Sequence, residues 1–251
     1  MDLTGKRLLV TGSTRGLGAA IARLALEAGA TVTLHGRDPT LVAAAVAGLR
    51  ASYPGRVTGQ AADLADRAAC RALAAAMGPL DVLVNNAGRF EELSLAATDE
   101  AAFDRLLAVN LTAPWTLAQA LLPTLTARRG VVVNVASDAA LLGYAGSVAY
   151  CASKGALVGL TRALAVELAP AVRALCVCPG PIETDMMRQS VAAAPDPAAA
   201  RRQWESFPLL GRVATPEEIA EVVLFACSDA ARYATGSVIM ADGGTSAGRR
   251  V

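Results

Sequence analysis

Three side chains stand at spacings suited to moving a proton to or from a carbonyl oxygen: Ser137, Tyr150 and Lys154. Tyr150 and Lys154 are four apart, so on a helix they share a face, one turn from each other. A phenol has an unperturbed pKa of about 10 and is a poor acid or base at neutral pH. A fixed ammonium one turn away favours the phenolate and is expected to pull the Tyr150 pKa down. The Ser137 hydroxyl can meet the same substrate oxygen. Together these are the parts of a proton-transfer site for a carbonyl/alcohol pair. Tyr-x-x-x-Lys alone also fits a snorkelling pair on a solvated helix face.

The surrounding pattern supplies elements to position them. Val131–Val135 is β-branched and apolar, a buried strand ending just before Ser137. A loop with Gly143 and Gly146 follows, then a helical pattern near Ser147–Leu168. Strands are likewise expected at Arg7–Thr11, Thr31–Leu34, Val57–Gln60, Asp81–Val84, Val172–Cys178 and Ser237–Met240. Helices are expected at Gly16–Ala28, from Asp38-Pro39 to about Ser52, at Asp66–Met77, from Thr98 to about Thr126, and from Thr215 to Cys227. Asp38-Pro39 reads as an N-cap with proline at the first helical position, and Thr215-Pro-Glu-Glu218 as a capping box. Pro114 should break or bend its helix.

Seven strands with helical crossovers predict an α/β fold, a Rossmann-like doubly wound parallel sheet covered by helices on both faces. Residues 1–251 read as one domain. The excursion at about 181–214, with the Ala- and Pro-rich run Ala192–Ala200, breaks the alternation and is a lid candidate that should order poorly by itself.

Composition narrows the function classes. Hydrophobic residues make up 54% and charged residues 18%, so a large core can be buried. A net charge of +1 gives no reason to expect nucleic acid or an anionic membrane surface. The N-terminal residues show no signal-peptide pattern, and no uninterrupted apolar run approaches membrane-spanning length. A cytoplasmic protein is expected. The cysteines are Cys70, Cys151, Cys176, Cys178 and Cys227, whose odd number and spacing fit no disulfide framework or zinc site. The single histidine, His35, excludes a mechanism or metal centre that needs several. No metal is expected.

The first strand runs into Thr11-Gly12-Ser-Thr14-Arg15-Gly16-Leu17-Gly18. Glycines there let the backbone turn tightly and approach a ligand, and the helix that follows presents free N–H groups to phosphate.

That spacing, then Asn85-Asn86-Ala87-Gly88 after the fourth strand, then Ser137, Tyr150 and Lys154, resembles the short-chain dehydrogenase/reductase family. The resemblance runs from Gly5 to Gly244 and takes in Asn110, Pro179-Gly180 and Asp242-Gly243-Gly244. It implies that Tyr150 is the general acid in reduction and base in oxidation, and that Lys154 holds the cofactor ribose. It implies that Ser137 bonds the substrate oxygen and that Asn110 anchors a water connecting Lys154 to solvent. By its sequence alone Asn110 reads equally as an amide capping a kink near Pro114. For the cofactor it implies Gly12, Thr14, Arg15, Gly16, Leu17 and Gly18 around the pyrophosphate and ribose, and Asp63 and Leu64 beside the adenine. Asn86, Ala87 and Gly88 would line the adenosine side. Tyr150, Lys154, Pro179, Gly180, Ile182 and Thr184 would complete the nicotinamide end.

NAD-binding members carry a carboxylate at the position of Gly36. Glycine brings no charge to repel a 2′-phosphate, and Arg37 follows directly, with Arg15 in the glycine-rich turn. NADP(H) is therefore expected over NAD(H). The implied reaction is hydride transfer between the nicotinamide and a small-molecule ketone or secondary alcohol. A 3-oxoacyl-carrier-protein reductase, for which Arg128, Arg129 and Arg173 would be a docking patch, and a non-catalytic dinucleotide sensor remain alternatives. Phe90, Asp138, Ala139, Leu141, Tyr144, Pro181, Met187, Trp204 and Phe207 are placed to line the substrate pocket, Asp138 standing where a small or apolar residue is expected. Leu117, Leu121, Leu157, Leu160 and Leu164 exceed what one sheet can cover, and family members pair these helices, so a homotetramer is expected.

Overall fold

The runs Arg7–Val10 (β1), Thr31–Gly36 (β2), Val57–Ala61 (β3), Val82–Asn85 (β4), Val131–Val135 (β5), Arg173–Pro179 (β6) and Val238–Ala241 (β7) form one sheet in the computed structural model. The structure describes residues 1–248. Residues 249–251, the end of the predicted domain, and the side chain of Met186 lie outside it. Neighbouring strands are all parallel, in the order β3-β2-β1-β4-β5-β6-β7. The chain winds from β1 to one edge, returns, and winds from β4 to the other. The crevice beyond the carboxyl ends of β1 and β4 is thus the topological switch point, where ligands bind in such sheets.

The crossovers are α1 (Gly16–Glu27), α2 (Pro39–Arg50), α3 (Arg67–Ala75), α4 (Glu100–Leu107), α5 (Ala113–Ala127), α6 (Val148–Leu168), α7 (Asp185–Ala193), α8 (Pro197–Ser206) and α9 (Pro216–Cys227). Strand residues alternate between faces, as the pleat requires. Leu8 and Val10 pack with α1, α2 and α9, whereas Leu9 packs with α3, α5 and α6. Both faces are therefore dry, which is why the strands read as continuous apolar runs.

Three expectations need correction. The helix over Thr98–Thr126 is not broken at Pro114. The strain is taken up one turn earlier, where Ala108–Thr112 widens into a π-helical turn and Pro114 falls in the first turn of α5. The Ala- and Pro-rich excursion is helical: Asp196 caps α8 by accepting the Ala199 N–H at 3.0 Å, and Pro197 occupies its first turn. Leu117, Leu121 and Leu157 are not surplus, because the chain's own core covers them. The apolar side chains left exposed near these helices are instead Phe103, Trp115, Val148 and Val166. The helical run 100–127 is long enough and on average apolar enough to cross a membrane, but it is not an uninterrupted apolar run, and its Leu106, Leu117, Leu121 and Leu125 are buried within the fold.

Candidate active site

The β1–α1 turn is shaped by missing side chains. Gly12 and Gly16 have φ of 64° and 55°, in the left-handed region that favours glycine. A Cβ on Gly12 would lie 2.9 Å from Ala87 Cα, and one on Gly18 2.2 Å from the Gly12 carbonyl oxygen. Asn86 locks this packing by donating from Nδ2 to the carbonyls of Thr11 at 2.9 Å and Gly12 at 3.2 Å. Thr11 Oγ1 accepts the N–H groups of both Asn86 and Ala87 at 3.0 Å. The predicted residues of β1–α1 and β4 thus meet.

The first turn of α1, like those of α5, α6 and α7, has no side-chain cap, whereas Asp38, Asp66, Asp99, Asp196 and Thr215 cap α2, α3, α4, α8 and α9. Free N–H groups behind two left-handed glycines at a switch point fit a dinucleotide pyrophosphate. Leu17 packs on the core behind the turn. Across the cleft Thr184 stands 3.6 Å from where a Gly16 Cβ would be. Pro179 ends β6 opposite Ala241, Gly180 leaves no room for a Cβ against Asp242, and Ile182 bridges to Ala214. Beyond β2, a Cβ on Gly36 would meet Thr14 Cγ2 at 2.8 Å. Arg15 and Arg37, the residues that follow this contact on each side, are exposed and form no ion pair among the described residues. Asp63 is exposed and accepts the Ala65 N–H at 3.0 Å. The Leu64 side chain is buried in the core beside Cys70, which leaves mainly backbone there to face an adenine.

The β5–α6 wall is built instead from buried polar side chains. Asn134 of β5 accepts from Asn85 Nδ2 at 2.8 Å and donates to Thr161 Oγ1 at 2.9 Å, tying β4, β5 and α6 together. Lys154 is 4% exposed, and its Nζ donates to the Val135 carbonyl at 2.9 Å. Asn110, buried in the π-helical turn, accepts the Arg89 N–H at 2.8 Å and donates to the Arg89 carbonyl at 2.9 Å and to Ser153 Oγ at 3.0 Å. The two side chains converge at Gly88, where a Cβ would lie 3.4 Å from Lys154 Nζ and 3.6 Å from Asn110 Oδ1. Lys154 Nζ lies 5.8 Å from the Tyr150 ring centroid, and Phe90 packs edge-on to that ring at 5.0 Å.

The direction of the Tyr150 pKa differs from expectation. Burial pushes the phenol up to about 12, with the Ser137 hydroxyl partly opposing it. Lys154 does not lower it in the protein alone, because burial drives the ammonium itself down to about 8 and its Nζ is directed to a backbone carbonyl. Tyr150 therefore keeps its phenolic proton at neutral pH.

Asp138, the departure from a small or apolar residue, is an interior carboxylate. It is buried, accepts from Ser137 Oγ at 2.9 Å, from Tyr144 OH at 2.8 Å and from the Ala139 N–H at 2.8 Å, and burial raises its pKa. Tyr144 in turn faces Phe207, which packs against Trp204 of α8. Met187 is buried and Leu141 exposed. Glu183 is ion-paired with Arg188 of α7 and Arg201 of α8, which ties these two helices to the segment after β6. Of the expected basic patch, Arg128 pairs with Asp81 and Arg173 donates to the carbonyls of Ala226, Ser228 and Ala231, while Arg129 is exposed.

Residues 12–246 match the sequence model of a family described as enoyl-(acyl carrier protein) reductase. A solved short chain dehydrogenase/reductase family protein, 36% identical, superposes with a TM-score of 0.89 over 99% of this chain and 100% of its own. The chain belongs to the short-chain dehydrogenase/reductase family. Among curated members of this family, the inactive 2-(S)-hydroxypropyl-CoM dehydrogenase 2 of Xanthobacter autotrophicus is 41% identical over 90% of this chain and 100% of its own length. The 2-(S)-hydroxypropyl-CoM dehydrogenase 3 of the same organism is 38% identical over 98% of each. The fold and the oxidoreductase class acting on alcohol or ketone groups with a nicotinamide cofactor follow from membership.

Proposed function

We propose that the protein is an NADP(H)-dependent oxidoreductase of ketones or secondary alcohols, with Tyr150 as its general acid/base. The observation that carries this is the convergence of Lys154, Asn110 and Tyr150 behind Ser137, at the end of a cleft whose far side is shaped for a dinucleotide. The bound nicotinamide supplies hydride transfer to or from the substrate carbon. Tyr150 gives its phenolic proton to the substrate oxygen in reduction and takes it back in oxidation. Ser137 donates to the same oxygen once its hydroxyl hydrogen turns from Asp138 Oδ1 to the substrate. Lys154 braces the ribose side and, with Asn110, replaces the proton from solvent. Phe90 excludes water from one face of the phenol. Kinship with a dehydrogenase named for a secondary alcohol supports the reaction class.

The test is a panel of ketones with NADPH or NADH, and of secondary alcohols with NADP⁺ or NAD⁺, read at the nicotinamide absorbance. Turnover with none of them, in protein that binds NADPH, would favour the dinucleotide-sensor reading, which kinship with a dehydrogenase named inactive keeps in view. NADP(H) preference rests on Gly36 in place of a carboxylate and on Arg15 and Arg37, which form no ion pair among the described residues. The proposed homotetramer rests on the exposed Phe103, Trp115, Val148 and Val166, and a monomer by light scattering at micromolar concentration would contradict it. Five free thiols fit a cytoplasmic, reducing setting.

A further inference from the structure

The lone histidine occupies a position that the mechanism above does not use. His35 lies at the end of β2, 2% exposed, against the start of the glycine-rich turn. Its Nδ1 accepts the Gly12 N–H at 3.2 Å, and its Nε2 faces the Ala62 carbonyl at 3.2 Å. A neutral imidazole can do both only as the tautomer with its proton on Nε2. The backbone adds two bonds to the same turn: His35 N–H donates to Ser13 Oγ at 2.9 Å, and Ser13 N–H donates to the His35 carbonyl at 2.8 Å. The ring therefore ties the first glycine of the turn to Ala62, the residue before Asp63.

We propose that His35 is a positioning residue for the dinucleotide turn: neutral, it fixes Gly12 for binding, and its protonation releases Gly12 and weakens nucleotide affinity. The inference rests on the nucleotide-binding reading above. A protonated ring presents an N–H at Nδ1 to the Gly12 N–H, two donors facing each other in a buried site. The turn must then shift, and its geometry is what cradles a pyrophosphate. Burial opposes protonation and holds the ring below its ordinary value. Charged side chains on the segments packed against it are Arg15 in the turn, Arg37 next along the chain, and Asp63 after β3, all exposed. Of these Asp63 acts on the ring, favouring the charged form. The loss of affinity is therefore an acid effect, absent at neutral pH.

Two substitutions separate the two ring nitrogens. Asn in His35→Asn places an amide oxygen near the Nδ1 position without titrating, while Gln in His35→Gln reaches toward Ala62 and leaves Gly12 without an acceptor. NADPH binding to the whole protein is read by nicotinamide fluorescence at pH 8 and pH 5.5. The 2′-phosphate of NADPH itself titrates near about 6, so His35→Asn is the reference for that effect. Wild type should lose more affinity between the two pH values than His35→Asn, by less than about tenfold because burial holds the ring below its ordinary value and only part of it is protonated at pH 5.5. His35→Gln should bind weakly at both. Parallel losses in wild type and His35→Asn, or wild-type affinity in His35→Gln, would overturn the proposal.

A second measurement needs no variant. The Cε1–H resonance of the only histidine titrates in wild type, and saturating NADPH should move its midpoint to lower pH, by reciprocity of linkage. An unmoved midpoint would overturn the proposal while leaving nucleotide binding intact. Absence of any NADPH or NADH binding at pH 8 would overturn the nucleotide reading and this inference with it.

Discussion

The two walls of the cleft are built by opposite means. On the β1–α1 side, Gly12, Gly16 and Gly18 shape the site by lacking side chains, so that backbone from β1, α1 and β4 closes to within van der Waals contact. On the β5–α6 side, Asn110, Ser137, Asp138, Tyr150 and Lys154 shape it with polar side chains, of which Asn110, Asp138 and Lys154 are buried and satisfied by named partners. On the proposed function, the first wall would bind by backbone N–H groups, which need close approach, and the second would move protons, which needs titratable groups held out of water. One wall should therefore break when atoms are added, the other when atoms are removed or their charge is changed.

The largest effect is expected from removing one atom on the second wall. Tyr150→Phe should lower kcat/KM by about 10²–10⁴-fold, the range for loss of a positioned general acid. NADPH affinity should stay within about twofold, since no backbone donor of the first wall moves. Near wild-type turnover in this variant would show that the proton comes from elsewhere.

Changing charge on the same wall should show in stability. Lys154 titrates near about 8 when folded, against 10.5 when free. Between those values the unfolded chain binds more protons, so stability rises with pH across this window. Below it, the folded ammonium bears a burial penalty that the unfolded chain lacks. Urea melts of wild type and Lys154→Met should diverge by about 3 kcal/mol in favour of wild type as pH rises from neutral through 10.5. A constant difference would mean that the ammonium keeps its solvation in the fold.

Adding one methyl group should break the first wall. Gly18→Ala places a Cβ 2.2 Å from the Gly12 oxygen and 2.5 Å from Asn86 Nδ2. It should cost about 1–3 kcal/mol of stability, as overpacking does, and weaken NADPH binding as well. Unchanged midpoint and affinity would show that α1 can slide away from β4.

The smallest effect concerns which nucleotide the first wall prefers. Gly36→Asp with Arg37→Ile supplies a carboxylate for the ribose and removes a phosphate partner. The new Cβ would still meet Thr14 Cγ2 at 2.8 Å and Val42 Cγ2 at 3.1 Å, so Thr14→Ala is needed to make room. The triple variant should lower the NADPH-to-NADH ratio of kcat/KM about tenfold or more, the worth of one charge-assisted hydrogen bond. An unchanged ratio would place the selecting cation away from Arg37.

Much of this was legible in the chain because it depends on neighbours in sequence. The strand at Val131–Val135 follows from β-branched runs, and the shared face of Tyr150 and Lys154 from a spacing of four. The capping box at Thr215–Glu218 forms as its residue types predict, and so does the left-handed backbone at Gly12 and Gly16. The Asp196-Pro197 signal that starts α8 is local too, and the alanine-rich composition around it obscured it.

The order of elements, the doubly wound sheet and the residue types at the cleft are written along the chain, since periodicity, turn chemistry and motif spacing are local properties. How those residues behave depends on the folded surroundings. Burial by distant segments raised Tyr150 and lowered Lys154, reversing a shift that the helix spacing alone predicted. Contact with Tyr144 and Ser137 made Asp138 an interior carboxylate. Packing of α5 and α6 on the sheet covered Leu117 and Leu157, and carbonyls at the end of α9 engaged Arg173. His35 and Gly12 lie 3.2 Å apart in space and on different strand ends, so no spacing in the chain signals their bond. Solvation and electrostatic energies sum over everything that surrounds a group, and folding alone brings those surroundings together.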